Sequence, residues 1–504
     1  MAVRSRKRAG LVVWVTMAIL CRAQEVAPSE TASQVTPQIP AEKLVAMKAA
    51  TDGLSASIYS GPSMSILQEL TDTIGGRLTG SPAYDRAAEW AIEKFHSYGI
   101  ESVRREPFTI DAGWQRVMAS GEMLSPLARR LNVESIGWTP STPAGGVEGP
   151  VVLLADLSPD GLQSQLSELR GKIVLLDFDK ILAEGYPKAL PKLEAAWTAF
   201  ENAGVLAVMT SERMMNNVIS AHAVLWGTKL APLPGAELGM EDSKLIQREL
   251  ERGPVTVHLT MENRITGTMN TNNVVAEIRG RERPEEWVLI GAHLDSWDLG
   301  TGAQDNGTGA VSVLEAARVI MAAGKQPRRS IRFALWGGEE EGMQGSYAYT
   351  QAHKKELGKC IAALNTDNGA GHPKGWKVEG RSDLKEAMQP WSEALLKSLG
   401  GGDLAMDTTY DTDHGPFVLD GIPALDLEVD MSHYFDIHHK SGDTFDKVDA
   451  LDFKAGEAIV AATAWALAET EKPIARHADR EAVGEILRNA KLEELVEYIG
   501  VWKP

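Results

Sequence analysis

Cysteine is almost missing from this chain: 504 residues hold two, Cys21 and Cys360. Positive charge is scarce as well, with 51 Lys and Arg against 69 Asp and Glu and a formal net charge of −18. A protein that grips nucleic acid normally carries the opposite sign, so no nucleic-acid partner is expected. No internal repeat and no nucleotide-binding glycine fingerprint is visible. The N-terminal apolar run Gly10–Leu20 is too short for a membrane span, and none is expected. What is present, 43% hydrophobic and 24% charged residues, excludes a wholly disordered chain. At about 150 residues per domain the length makes room for roughly three domain-sized pieces.

The N-terminus reads as a secretory signal peptide, residues 1–23. Arg4, Arg6, Lys7 and Arg8 precede the apolar run, and Cys21 and Ala23 put small residues at −3 and −1 of a cut before Gln24. A secreted or periplasmic location follows. Cys21 opens lipid anchoring as a second reading, although Leu20 stands where a lipobox has Gly, Ala or Ser; an uncleaved anchor is a third. A cut before Gln24 removes five positive charges and leaves Cys360 alone, so no intrachain disulfide is expected. A chain of this size does not need one.

Residues 24–40 are rich in Pro, Ser, Thr and Gln and read as a linker or propeptide. A helical pattern opens the segment 41–117. Gly75-Gly76 and Gly80-Ser81-Pro82 interrupt it, after which Ala88, Ala91, Ile92 and Phe95 recur at the spacing of one buried helix face. A different style fills 118–268, where Val151–Leu154, Ile173–Leu176 and Val205–Met209 are short apolar runs between helices, a small α/β module. Over 269–472 the runs Val274–Ile278, Val288–Gly291, Ile331–Trp336, Ile361–Asn365 and Ala424–Leu427 alternate with helices, notably Gly307–Ala323. The expected fold class is α/β: a doubly wound, mostly parallel sheet covered on both faces, with the smaller α/β module inserted. Residues 473–504 are expected to form a C-terminal amphipathic helix over 479–499. It would dock on the body or on a second copy of the chain, which leaves a homodimer open.

In doubly wound sheets the active site lies beyond the carboxyl ends of the strands, and polar residues stand at each of those ends. His293 and Asp295 follow Val288–Gly291, and Asp305 comes twelve residues after His293. Glu339, Glu340 and Glu341 follow Ile331–Trp336, Asp367 follows Ile361–Asn365, and His438-His439 precede Asp443. Carboxylates and imidazoles without thiolates suit zinc, with manganese or cobalt as alternatives. Two ions need a bridging carboxylate and about two further ligands each. His293, Asp305, Glu340, Asp367 and His439 supply that number. One carboxylate has to stay free to take a proton from water, and Glu339 is adjacent. Asp295 suits holding the other nitrogen of His293. Singly each feature has a bland reading: a His-x-Asp pair is commonly structural, three Glu commonly start a solvated helix, and Asn306-Gly307-Thr308 is formally a glycosylation sequon. Their conjunction at strand ends carries the weight.

The motifs His293-Leu294-Asp295-Ser296, Asp305-Asn306-Gly307-Thr308-Gly309, Trp336 to Gly342, Asn365-Thr366-Asp367 and His439 four residues before Asp443 resemble those of the co-catalytic dizinc exopeptidases of the zinc aminopeptidase/glutamate carboxypeptidase family. Leu70–Pro82 is similar to the family's opening segment, and the resemblance spans about residues 45–470. It implies a zinc exopeptidase fold with a protease-associated domain over 118–268. It implies two zinc ions per subunit, one held by His293, Asp305 and Asp367, the other by Asp305, Glu340 and His439. Small peptides are the implied substrates, by aminopeptidase, dipeptidase or carboxypeptidase action, with Glu339 as general base. Relatives carry a cis peptide after the bridging Asp, expected here at Asp305–Asn306. Several relatives place a Tyr that stabilises the oxyanion where this chain has His438, which gives His438 a catalytic role. Asp411 and Asp413 precede Gly415-Pro416-Phe417, a segment near substrate in relatives, and either would hold a free amino terminus or simply order the loop. Two other readings stand beside this one. A partner-binding relative without catalysis should lack some ligands, and none is missing here; a single-zinc enzyme similar to glutaminyl cyclases is the other.

Overall fold

The computed structural model describes residues 41–503; the expected leader 1–23 and the segment 24–40 lie outside the described residues. The strands sort into two eight-stranded sheets. The first contains, in spatial order, Val103–Ile110, Met269–Ile278, Arg329–Trp336, Arg283–His293, Cys360–Asn365, Ala424–Val429, Pro373–Lys377 and Asp403–Ala405. Its centre is parallel: the strand ending at His293 lies between those ending at Trp336 and Asn365, and Ala424–Val429 continues the same direction. The sheet is mixed, however, where a mostly parallel one was expected. Three pairings toward its flanks are antiparallel. The cause on one flank is the insertion: the chain leaves the sheet at Ile110 and returns at Met269, its register partner, at the end where Trp336 lies. The returning strand must therefore run against Arg329–Trp336.

Alternate side chains of the central strands feed two cores, as the two-residue period of a strand requires. Val288 and Ile290 pack with the helices Thr308–Ala322 and Ala450–Glu469, while Trp287 and Leu289 pack with Tyr349 and Phe417 on the opposite face. Ala450–Glu469 is apolar on nearly every side and buried over most of its length, as a central helix should be. Asp449 starts it by accepting hydrogen bonds from the Leu451 and Asp452 amides.

The second sheet runs Arg129–Leu131, Trp114–Ser125, Thr256–Ile265, Val147–Leu154, Ile173–Leu176, Ala207–Ser211, Gly235–Leu238 and Val133–Ser135. It is built wholly from residues 114–265, so a border at 118 falls inside its second strand. The C-terminal segment is not one helix over 479–499. It is two, Arg480–Asn489 and Glu493–Tyr498, separated at Lys491, whose φ is 60°. Val483, Leu487, Val496 and Trp502 pack on Met343 and Tyr410 of the same chain, and the Tyr498 hydroxyl donates to Glu194. Among the described residues no helix is long and apolar enough to cross a membrane.

Candidate metal centre and active site

The parallel strands deliver their polar termini to one crevice. His293, 1% exposed, ends its strand with Nε2 at 2.9 Å from Asp367 Oδ1 and 3.2 Å from Asp305 Oδ1. Across the crevice His439 Nε2 lies 3.0 Å from Glu340 Oε2 and 3.3 Å from Asp305 Oδ2. Asp305 thus turns one carboxylate oxygen to each half of the cluster. Its Oδ2 is buried and receives no hydrogen bond, although two imidazole nitrogens stand 3.3 Å away. An orphaned anionic oxygen costs free energy in a protein interior, and a cation between these donors would satisfy it. The donor set of imidazole nitrogens and carboxylate oxygens fits zinc. Three groups of donors are close enough to hold an ion: His293, Asp305 and Glu340; His293, Glu339 and Asp367; and Asp305, His438 and His439.

The electrostatics agree. Burial, the largest influence, pushes Glu340 up to about 7 and Asp367 up to about 6, with Asp305 adding to both. Burial also pushes Glu339 well above the usual carboxylate range. Asp305 goes the other way: against its burial, the hydrogen bond from His293 and the His438 and His439 rings hold it well below that range. Burial alone lowers His439, yet Glu340 and Asp305 raise it to about 10. Crowded acids of this kind favour positive charge in their midst.

Groups outside the ligand set hold the ligands. Asp443 accepts from the backbone amides of Gln304 at 2.7 Å and Asp305 at 3.1 Å, which fixes the bridging residue. Gly302 turns the chain into this loop at φ 60°; a Cβ there would lie 2.4 Å from Ser296. The buried Arg77 donates to the carbonyls of Leu294, Thr301 and Gly302 and so ties the opening segment to both ligand loops. Thr79 donates to Asp295 Oδ2 at 2.8 Å and accepts from the Gly338 amide at 2.8 Å. Asn306 donates to the Thr366 carbonyl at 2.8 Å and links the Asp305 and Asp367 loops. The Asp305–Asn306 peptide is cis.

Asp295 stands beside His293, but its backbone carbonyl, 3.0 Å from Nδ1, is nearer than its carboxylate at 3.5 Å. The expected carboxylate contact is therefore shared with the main chain. Both adjacent histidines face the crevice. His438 Nε2 is 3.3 Å from Asp305 Oδ2, and its ring stacks on His439 at 3.6 Å. Burial, helped by His439, lowers the His438 pKa well below the ordinary histidine value. Asp411 is exposed, whereas Asp413 is 1% exposed, accepts from the Ser346 hydroxyl, and keeps Oδ2 without a partner. Glu341 is 3% exposed with both carboxylate oxygens unpartnered, so the Glu run is not a solvated helix start.

Known proteins share sequence and fold with this chain. The sequence profile of peptidase family M28 matches residues 273–464. Carboxypeptidase Q of Mus musculus is 30% identical over 428 residues, 83% of this chain and 88% of that one. The crystal structure of a peptidase M28 precursor from Shewanella amazonensis superposes with a TM-score of 0.75 at 27% identity, covering 86% of this chain and all of that one. A zinc aminopeptidase from Bacillus subtilis shares the fold with a TM-score of 0.61 at 21% identity, covering 80% of this chain and 93% of that one. Sheet, crevice and relatives together define a peptidase. The chain belongs to peptidase family M28.

Proposed function

We propose that the chain binds two zinc ions and removes terminal residues from small peptides, with Glu339 as general base. The observation that carries this reading is Asp305, whose two oxygens face separate imidazole sets. His293 and Asp367 would complete one metal site, Glu340 and His439 the other. When bound, zinc supplies Lewis-acid polarisation of the scissile carbonyl and lowers the pKa of water. Glu339 Oε2 lies 4.0 Å from His293 Nε2, and we assign it to the attacking water rather than to the ion that His293 and Asp367 would hold, although it stands within reach of that ion too. It takes a proton from the attacking water and returns it to the leaving amine. His438, kept neutral by burial, donates an N–H to the oxygen that develops charge. Asp295 and Thr79 hold His293 and the Glu339 loop in register.

The acids around the crevice also favour one end of the peptide. Asp413 is a buried carboxyl with a free oxygen, which burial pushes up to about 8 and a cation beside it would ionise, while Arg77 and Lys440 are occupied by backbone carbonyls. A free amino terminus is complementary to such a site, so aminopeptidase or dipeptidase action is the reading. A panel of one dipeptide in free, N-acetylated and C-amidated forms tests it. N-acetylation should abolish turnover; tolerated C-amidation then marks an aminopeptidase and loss on C-amidation as well a dipeptidase, while loss on C-amidation alone means a carboxypeptidase. Residues 114–265 are read as an inserted protease-associated domain, and residues 1–23 as an export signal.

A further inference from the structure

The inserted module emerges at the crevice end of the first sheet, between Ile110 and Met269, and one of its contacts with the metal loops is made on the Trp297 ring. Trp297 is 3% exposed. Its ring centroid lies 5.9 Å from that of His439, and its backbone N–H donates to Glu340 Oε1 at 3.3 Å. Trp138 of the module meets the same indole edge-on at 6.1 Å and itself stacks on Trp114 at 6.0 Å. A Cβ on Gly137 would lie 2.8 Å from the Trp297 ring, so only glycine lets the module's backbone touch it. Arg116 of the module pairs with Asp298, the next residue, at 3.1 Å.

His439 gives a second, independent sign of restraint by the module. Its φ is 61°, a left-handed conformation that a non-glycine residue keeps only where its surroundings enforce it. The module supplies part of that enforcement. The Ala221 amide donates to the His439 carbonyl at 2.8 Å, and Ser220 bridges Lys440.

We propose that Trp297 is a positioning residue: clamped by Gly137 and Trp138 of the inserted module, it sets His439 and Glu340 in the relative placement that the second zinc requires. This rests on the two-zinc reading above. The module then works as a buttress for the metal site besides any effect on substrate entry. A rigid indole packed between the module and His439 fixes its neighbour; a leucine in its place leaves a gap into which His439 can turn. Groups that orient metal ligands commonly account for ten- to a hundredfold in metal affinity.

The test is zinc competition against a chromophoric chelator, with zinc per chain from elemental analysis, on the full chain. The variants are Trp297→Leu, Trp297→Phe, Trp138→Leu and the double Leu variant. Trp297→Leu should loosen one zinc by roughly 10–100-fold and leave the other unchanged, and kcat should fall with KM little moved. Trp297→Phe should recover most of the affinity. Trp138→Leu should show a smaller loss of the same sign, and the double variant should be no worse than Trp297→Leu, because both act through one ring. A Trp297→Leu protein with wild-type circular dichroism and both zinc affinities intact overturns the proposal, as does strict additivity of the two changes. If Trp297→Leu fails to fold, unchanged zinc affinity in Trp138→Leu overturns it. A wild type holding one zinc defeats the two-zinc reading and this proposal with it. That result is distinct from failure of the proposal alone, where wild type and variant both hold two zincs equally tightly.

Discussion

Both sheets of this molecule present parallel strand ends, but they treat the acids there differently. In the second sheet Asp177, just past Ile173–Leu176, pairs with Lys180 at 3.1 Å. Glu212, just past Ala207–Ser211, accepts from the Arg213 and Met214 amides at 2.6 and 3.1 Å. In the first sheet Asp305, Glu340 and Asp367 stand against one another and against His293 and His439, with an Asp305 oxygen left unpartnered. The same strand geometry thus gives a finished surface in one place and an incomplete coordination sphere in the other. A strand end is an opportunity for chemistry; the crowding of unneutralised acids around imidazoles is what turns it into a metal site.

The sharpest way to break this comparison is to exchange one carboxyl for an amide on each side. Glu339→Gln should lower kcat by roughly 10²–10⁴-fold with zinc content unchanged, while Asp177→Asn in the second sheet should leave kcat and zinc content as they are. Metal loss in Glu339→Gln, with activity regained on adding zinc, would show that Glu339 and Glu340 have exchanged roles.

The adjacent histidines come next. His439→Ala should lose one zinc. His438→Ala should keep both and lose on the order of 10²–10³ in kcat, the usual cost of deleting one oxyanion donor. Elemental analysis beside steady-state kinetics separates them, and metal loss on the His438 side would invert the assignment.

The smallest effect concerns a buried acid away from the crevice. Glu457 is 0% exposed under the first sheet and accepts from the Ser63 hydroxyl at 2.6 Å. Burial, with Glu315 adding and Ser63 opposing, pushes its carboxyl well above the usual range. The folded state therefore keeps a proton that the unfolded chain releases near pH ~4.3. Between those two values the folded state binds more protons, so stability falls as pH rises. Glu457→Gln removes that dependence. Its melting temperature should exceed wild type at pH ~7–8, by something on the order of 1 °C, with the gain shrinking toward pH ~4. An equal gain at both ends of the range would show that the carboxyl is not protonated in the fold.

Much of the site was legible because several of its residues stand at or just past the end of an apolar strand. His293, Asp367 and the Glu339–Glu341 run need only strand recognition and the rule that parallel strands point their carboxyl ends one way. What stayed hidden depends on docking between distant segments. Arg77 and Thr79 act through Leu294 and Asp295, more than two hundred residues away in sequence, and Trp138 meets Trp297 only once the inserted module folds back. The strand Pro373–Lys377 escaped notice because Pro373 and Gly375 read as turn residues; it adds beyond Ala424–Val429 toward the sheet edge, where Pro is tolerated. The break at Lys491 carries neither Gly nor Pro, so an amphipathic period ran through it unmarked. The antiparallel flank was equally invisible, since strand direction follows from where the insertion leaves the sheet.

The central claim is that Asp305 lies between two zinc ions. Anomalous diffraction at the zinc absorption edge from crystals of the zinc-loaded protein measures it directly. The account predicts two peaks about 3.5–4 Å apart, one beside His293 and Asp367 and one beside Glu340 and His439, with an Asp305 oxygen toward each. A single peak, or two peaks with Asp305 outside the line between them, would contradict it.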